Sequence, residues 1–278
     1  MIYSFEVFPP KATTPVEQVS GCFAALSALK PDFISVTYGA GGGVNGGRLT
    51  CELAARLKTE YGIKPVAHLP CINYTRQEIA EVLSMFREYG IEDILALRGD
   101  KSPDHPAKDD FRYASELIGF IRSKGEFHLY GACYPEVHPE ARSAAEDIRH
   151  LKEKVDAGAS HLITQLFFDN ESFYSFREKC EIAGIDVPIE AGIMPVVNAA
   201  QIQRMVSLCG ASLPRKFTQM MQRFGHSPEA MRDAGIAYAV DQIVDLAANG
   251  ADGIHLYTMN NPTVARRITE AVSGILGR

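Results

Sequence analysis

The sequence predicts an α/β protein: a single (β/α)8 TIM barrel spanning residues 1–278, with extra helices between strands 7 and 8. Three observations carry this. Eight short apolar runs alternate with helix-patterned stretches, as strand–helix units of a parallel sheet do. The runs do not alternate polar with apolar; residues 94–97 are apolar throughout, as in strands covered on both faces. Finally, glycines at 62, 90, 158, 184 and 250 fall just before apolar runs, where a left-handed residue ends a helix. Eight such units in 278 residues is the size of this barrel.

The first strand is expected over residues 2–7, closed by Pro9 and Pro10, which cannot donate to a ladder. Val16, Val19, Phe23, Leu26 and Leu29 then repeat at helical spacing over residues 15–30. Strand 2 is expected over 33–38, a glycine-rich loop over 39–47, and a helix over 49–61. Strand 3 covers 65–69, before a helix carrying Ile79, Val82, Leu83 and Phe86. Strand 4 starts at Asp93 and stops on Arg98-Gly99-Asp100; Leu117, Phe120 and Ile121 mark its helix. Strand 5 covers 127–133 and runs into a rigid polar connector, Tyr134-Pro135-Glu136-Val137-His138, before a helix through Ile148, Leu151 and Val155. Strand 6 is expected over 161–168, strand 7 over 188–193 and strand 8 over 253–257, with a closing helix over 262–276. Between strands 7 and 8, residues 198–209, 213–224 and 228–248 read as three helices where one is required. An insertion there is placed to shape a substrate pocket.

Composition narrows the function. The chain is 46% hydrophobic, ample for one large core, and its net charge of −6 gives no footprint for nucleic acid or an anionic membrane. No apolar run reaches transmembrane length and no signal segment precedes strand 1. Six scattered cysteines without a Cys-x-x-Cys pair read as reduced thiols, so a cytoplasmic location is expected.

A barrel gathers the carboxyl ends of its strands on one face. There the sequence places Glu6, Thr37, Tyr38, His68, Arg98, Asp100, Tyr134, Glu136, His138, Gln165 and Tyr257. Glu6 stands among Phe5, Val7 and Phe8, and a carboxyl group withdrawn from water tends to stay protonated. That suits a general acid; the plainer reading is a buried glutamate paired with an arginine such as Arg98. No metal is expected, because His68, His138, Glu136 and Asp100 lack the usual ligand spacing. No strand ends in the lysine a Schiff base needs. Residues 39–47 lack the Gly-Lys-Ser/Thr of a phosphate loop, and no Gly-x-Gly-x-x-Gly follows strand 1. An acid, a carboxylate and an amide remain, and they leave the reaction open.

Five motifs go further: residues 4–10 (Ser-Phe-Glu-Val-Phe-Pro-Pro), 35–40 (Ser-Val-Thr-Tyr-Gly-Ala), 96–100 (Ala-Leu-Arg-Gly-Asp), 134–139 (Tyr-Pro-Glu-Val-His-Pro) and 163–169 (Ile-Thr-Gln-Leu-Phe-Phe-Asp). In order and spacing they resemble the 5,10-methylenetetrahydrofolate reductase family over essentially the whole chain. The resemblance implies a flavin-dependent barrel. It would reduce 5,10-methylenetetrahydrofolate to 5-methyltetrahydrofolate by ping-pong hydride transfer through FAD, in one-carbon metabolism and methionine biosynthesis. By resemblance Glu6 is the general acid, and Asp100 the carboxylate that binds the pterin near the flavin. Gln165, Gln201 and Thr37 are implied as further folate contacts. The positions implied for FAD are Thr37, Tyr38, Ala40, His68, Arg98, Gly99, Asp100, Tyr113, Ala114, Tyr134, His138, Ala141, Asp147 and Lys154.

The chain departs from the family pattern twice. Met205 stands where NADH-using members carry an aromatic residue that stacks on the nicotinamide nucleotide, and Asn261 where they carry an arginine near the folate tail. The electron donor is therefore open between NADH, NADPH and a partner protein such as a ferredoxin-linked subunit, and a non-catalytic folate-binding barrel is the third reading. Family members are often dimers or tetramers; nothing in the sequence decides on a homo-oligomer. The chain ends at Arg278 without the regulatory domain of eukaryotic members, so feedback by S-adenosylmethionine is not expected.

Overall fold

The computed structural model describes residues 1–10, 16–39, 43–100, 106–198, 202, 205–206 and 210–277, the side chains of 16–18 and 43–45 aside. Eight strands, β1 (Ile2–Val7), β2 (Phe33–Val36), β3 (Pro65–Pro70), β4 (Asp93–Leu97), β5 (His128–Cys133), β6 (His161–Thr164), β7 (Ile189–Ile193) and β8 (Gly253–Tyr257), follow one another around a closed barrel. The described pairings are parallel; Glu6 sits opposite Ser35, and Leu95 opposite Tyr130. Between them run α1 (Val16–Ser27), α2 (Gly43–Tyr61), α3 (Arg76–Glu88), α4 (Ala114–Lys124), α5 (Ala144–Ala157), α6 (Asn170–Ile182), α7 (Arg215–Phe224), α8 (Pro228–Ala248) and α9 (Pro262–Val272). No described helix is long and apolar enough to cross a membrane. The chain divides into two compact units, residues 4–132 with 152–162, and residues 1–3 with 133–151 and 163–278.

In the first unit the strands are buried because helices cover them. Helix α3 lays Ile79, Val82, Leu83 and Phe86 inward, each worth about 1.5–3 kcal/mol of burial. Its start is fixed by a capping box: Thr75 accepts from Glu78 N, and the Glu78 side chain accepts from Thr75 N at 2.6 Å. At the amino ends of the strands, Lys64 Nζ lies 2.7 Å from the buried Asp93 carboxylate and 3.2 Å from the Tyr130 hydroxyl.

The glycine run differs from expectation. Helix α2 begins at Gly43, so residues 43–47 are its first turns rather than a loop. The reason is space: a Cβ on Gly46 would stand 2.7 Å from the Gly39 carbonyl oxygen, and one on Gly47 2.7 Å from the Tyr38 hydroxyl.

The second unit holds the insertion. Leu166, Phe168, Met194, Val196, Ile202, Ala211, Phe217 and Met231 form one buried cluster, with Phe168 and Phe217 stacked at 4.4 Å between centroids. This corrects strand 6, which ends at Thr164 instead of reaching 168. Residues 166–168 are apolar because they feed this cluster. Their carbonyls leave the sheet: Tyr238 donates to Phe168 O at 2.6 Å and Gln242 to Phe167 O at 3.3 Å. Strand 2 likewise ends at Val36, two residues early. Of the helix expected over 198–209, residues 202, 205 and 206 are described and helical, whereas Asn198 is described and is not.

Candidate active site

In the first unit, β1 sets the site by simple alternation. Phe5 and Val7 are fully buried, so Glu6, between them on the strand, faces the other way. Contrary to the sequence expectation, its chain neighbours Phe5 and Val7 are therefore not its surroundings. Glu6 Oε2 lies instead 3.5 Å from His68 Nε2, with side-chain exposures of 19% and 8%.

Beyond β2, Thr37 N donates to Val7 O at 3.0 Å. The buried Thr50 hydroxyl holds this corner: it accepts from Gly39 N at 3.2 Å and reaches Thr37 O and Gly46 O at 3.2 and 3.1 Å. Tyr38 turns its ring toward Tyr74, 5.7 Å away. Burial first, then Tyr74, holds the Tyr38 phenol far above its usual range, so it stays neutral.

The Arg98-Gly99-Asp100 corner is clamped. Arg98 O accepts from both Cys71 N and Ile72 N, at 3.1 and 2.8 Å. Gly99 takes φ +86°, and a Cβ there would stand 3.0 Å from Pro70 Cβ. Asp100 is exposed, with its carbonyl 3.5 Å from Asn73 Nδ2. Tyr113 is 51% exposed and leads into α4, whose first residue Ala114 is buried. Lys154 Nζ donates to Ala132 O at 2.5 Å.

In the second unit, two successive turns follow β5. Val137 N donates to Tyr134 O at 3.4 Å and Ala141 N to His138 O at 2.9 Å. The Tyr134 and His138 rings meet edge-on, 4.5 Å between centroids. Asp147 Oδ2 accepts from His138 N at 2.9 Å, which spends one of its oxygens on the turn. Gln165 N continues the ladder to Cys133 O at 2.7 Å, and its Oε1 accepts from Leu166 N at 3.0 Å, so the amide NH2 is its outward donor. Tyr257 donates to Thr164 O at 2.7 Å; Gly192 leaves room for this, since a Cβ there would stand 2.3 Å from that oxygen.

Ala40 and Gln201 lie outside the described residues. Met205 packs against the insertion cluster. Asn261 serves its own helix. Its side chain accepts from Val264 N at 3.2 Å as the N-cap of α9, ahead of Pro262 at the first helical position. Sequence reading missed Thr50 and Asn73, whose side chains contact backbone atoms of the site and so leave no paired side-chain pattern to find. A groove of about 450 Å³ at the amino end of β7, lined by Arg177, Ile189 and Asp252 among others, contains none of the predicted residues. Among the described residues no three His, Cys, Asp or Glu side chains are grouped to hold a metal.

Within each unit the residues implied for FAD fit such a group chemically. Strands buried along their length open at their carboxyl ends into partly exposed Thr37, Arg98 and Gly99 in one unit, and Tyr134 and His138 in the other. They offer a cation for phosphate, a backbone that a ligand can approach closely, hydroxyls and aromatic faces.

A closed (β/α)8 barrel carrying carboxylates, a cation and an amide just past its strands defines the class: a barrel enzyme. Residues 1–273 match the family model described as methylenetetrahydrofolate reductase, and the chain belongs to that family, an oxidoreductase family. It is 39% identical over 265 residues to the 5,10-methylenetetrahydrofolate reductase of Pectobacterium carotovorum, covering 95% of this chain and 88% of that one. Identity to the Escherichia coli K12 enzyme of the same name is 37%, with the same coverage. To the Arabidopsis thaliana protein named methylenetetrahydrofolate reductase (NADH) 1 it is 36%, over 93% of this chain and 46% of that one. Among solved structures, an uncharacterized Clostridium thermocellum protein that binds two copies of 5-methyl-5,6,7,8-tetrahydrofolic acid aligns with a TM-score of 0.67. It covers 99% of this chain and 94% of that one, at 14% identity, a likeness of fold. The family expected from the five motifs is the family found.

Proposed function

We propose that this chain is a single-domain, cytoplasmic flavoenzyme that reduces 5,10-methylenetetrahydrofolate to 5-methyltetrahydrofolate, with FAD as resident cofactor and Glu6 as proton donor. Family membership supports the reaction, and the largely buried position of the Glu6 side chain near the carboxyl end of β1 supports the acid. FAD, when bound, supplies the hydride carrier. The chain's own residues supply the rest. Thr37, Arg98, Gly99, Tyr113, Tyr134, His138, Asp147 and Lys154 are the described polar groups and backbone that would hold it, with Ala114 and Ala141 packing beside them. Arg98 provides charge for phosphate. Tyr38, its hydroxyl buried against Gly47, contributes backbone and shape rather than a free phenol.

Glu6 holds a proton on its carboxyl and passes it to the substrate's ring nitrogen as that C–N bond opens to the iminium. His68 Nε2 stands 3.5 Å from that carboxyl. Asp100 accepts from the pterin's N–H groups, and Gln165 donates to it through its amide NH2. Gln201 completes the folate contacts.

NADH is the donor proposed first. The second reading, a protein donor, rests on Met205, a side chain with no aromatic face of its own to stack on a nicotinamide nucleotide.

The test is the visible spectrum of the purified protein, then anaerobic NADH. Bound oxidised flavin gives bands at about 375 and about 450 nm. Bleaching by NADH would establish a self-sufficient reductase. A yellow protein untouched by NADH and NADPH but reduced by a protein donor would move the reading to the second donor class. A colourless protein that fails to take up added FAD would overturn it.

A further inference from the structure

The turn after β5 is tied to the insertion at two points, neither of which serves the chemistry described above. Glu136 Oε2 accepts from the backbone N–H of Ser212 at 2.8 Å, across 76 residues of sequence. Two residues away, Gly210 takes φ +71° and lies against Pro139; a Cβ there would stand 3.1 Å from Pro139 Cγ. The other Glu136 oxygen, Oε1, is buried and has no hydrogen-bond partner among the described residues. The carboxylate is held by this one described backbone donor, and withdrawing it would leave neither oxygen with a described hydrogen-bond partner.

The turn is itself strained. Val137 takes φ +75°, rare for a β-branched side chain, and such strain persists only where surroundings enforce it. Tyr134 and His138 stand on either side of Glu136–Val137, and both are implied cofactor contacts. At the far end, Ala211 joins the cluster that buries Leu166, the residue bonded to the Gln165 side chain. One carboxylate thus links the proposed flavin turn to packing beside the proposed pterin amide.

We propose that Glu136 is a positioning residue. By fastening the 134–138 turn to Ser212, it couples occupancy of the turn to order at the start of α7. This rests on the reading of the turn as part of the FAD site.

The experiment uses the full chain as wild type, Glu136→Ala, Glu136→Gln and Gly210→Ala. It measures FAD affinity of the apoprotein by flavin fluorescence, and amide hydrogen exchange of residues 210–217 with and without FAD. Wild type should show exchange in that stretch slowed severalfold by FAD. Glu136→Ala should weaken FAD binding about tenfold, the loss of one charge-assisted bond, and abolish that protection. Glu136→Gln keeps an acceptor oxygen for Ser212 N and should recover most of both. Gly210→Ala, which leaves the carboxylate intact, should shift FAD affinity in the same direction as Glu136→Ala. It therefore decides the matter if Glu136→Ala fails to fold. Wild-type affinity and protection in folded Glu136→Ala, or unchanged affinity in folded Gly210→Ala, would overturn the coupling. Wild type that takes up no FAD would instead remove the functional reading. Faster exchange at 210–217 in ligand-free Glu136→Ala would then still establish the tie itself.

Discussion

Glu6 on β1 faces His68 on β3 across the intervening strand, 3.5 Å from Oε2 to Nε2. Glu6→Gln keeps the size and hydrogen-bonding shape of the side chain but removes its acidic proton. Flavin binding and reduction by the donor should stay at wild-type levels, while folate reduction falls about 10²–10⁴-fold. Stopped-flow measurement of the two half-reactions separates them; undiminished folate reduction would take the proton from Glu6.

The thiols should be quiet. Burial pushes Cys51, Cys71 and Cys180 up to about 12 and Cys22 up to about 11, from 9.0. At pH 8 only about one in 10⁴ of the first three would be thiolate. Alkylation followed by mass spectrometry should leave all four unmodified until the chain is unfolded. The same shift has a stability sign. Above pH 9 the unfolded chain loses these protons while the folded chain keeps them, so stability is full below pH 9 and declines as pH rises beyond it.

Gly192→Ala should destabilise the second unit by about 1–3 kcal/mol or more, because the new methyl would collide with the Thr164 carbonyl and the Tyr257 ring. A urea midpoint equal to wild type would mean that β6 and β7 can part there at no cost.

Lys64→Met leaves Asp93 buried beside the exposed His128 alone, 3.4 Å away. Lys64 is 46% exposed, so the loss should be about 1–2 kcal/mol, below that of a fully buried pair. Burial alone would lower the Lys64 ammonium; Asp93 and Tyr130 outweigh it and raise it above the usual lysine value. Its contribution is therefore whole below about pH 10.4 and fades as pH climbs through the folded value. Thermal unfolding of wild type and variant between about pH 7 and about pH 11 checks both; parallel curves would rule the pair out.

The strands are legible because burial on both faces leaves an uninterrupted apolar run, as in β4, and glycines mark where helices stop. The same signal misleads at β6, where Leu166–Phe168 are apolar for the insertion cluster rather than for the sheet. Around α2, glycine suggests looseness when its cause is close packing on Tyr38 and Gly39. Glu6 can be found in the sequence, but not its neighbour, since His68 is 62 positions away and pairing in space leaves no local trace. Glu136 and Ser212 are invisible as a pair for the same reason. Asn261 is legible once helix starts are considered: an asparagine ahead of proline is a helix-start signature, and it outranks any ligand role inferred from position.

The carbonyl of Arg98 takes two successive amide protons from the loop after β3, and that shared acceptor welds residues 71–72 and 98–99 into one mechanical piece. A welded corner does not hinge. Under the proposed exchange of one ligand for another at this end of the first unit, the backbone at Arg98 would be the fixed jaw.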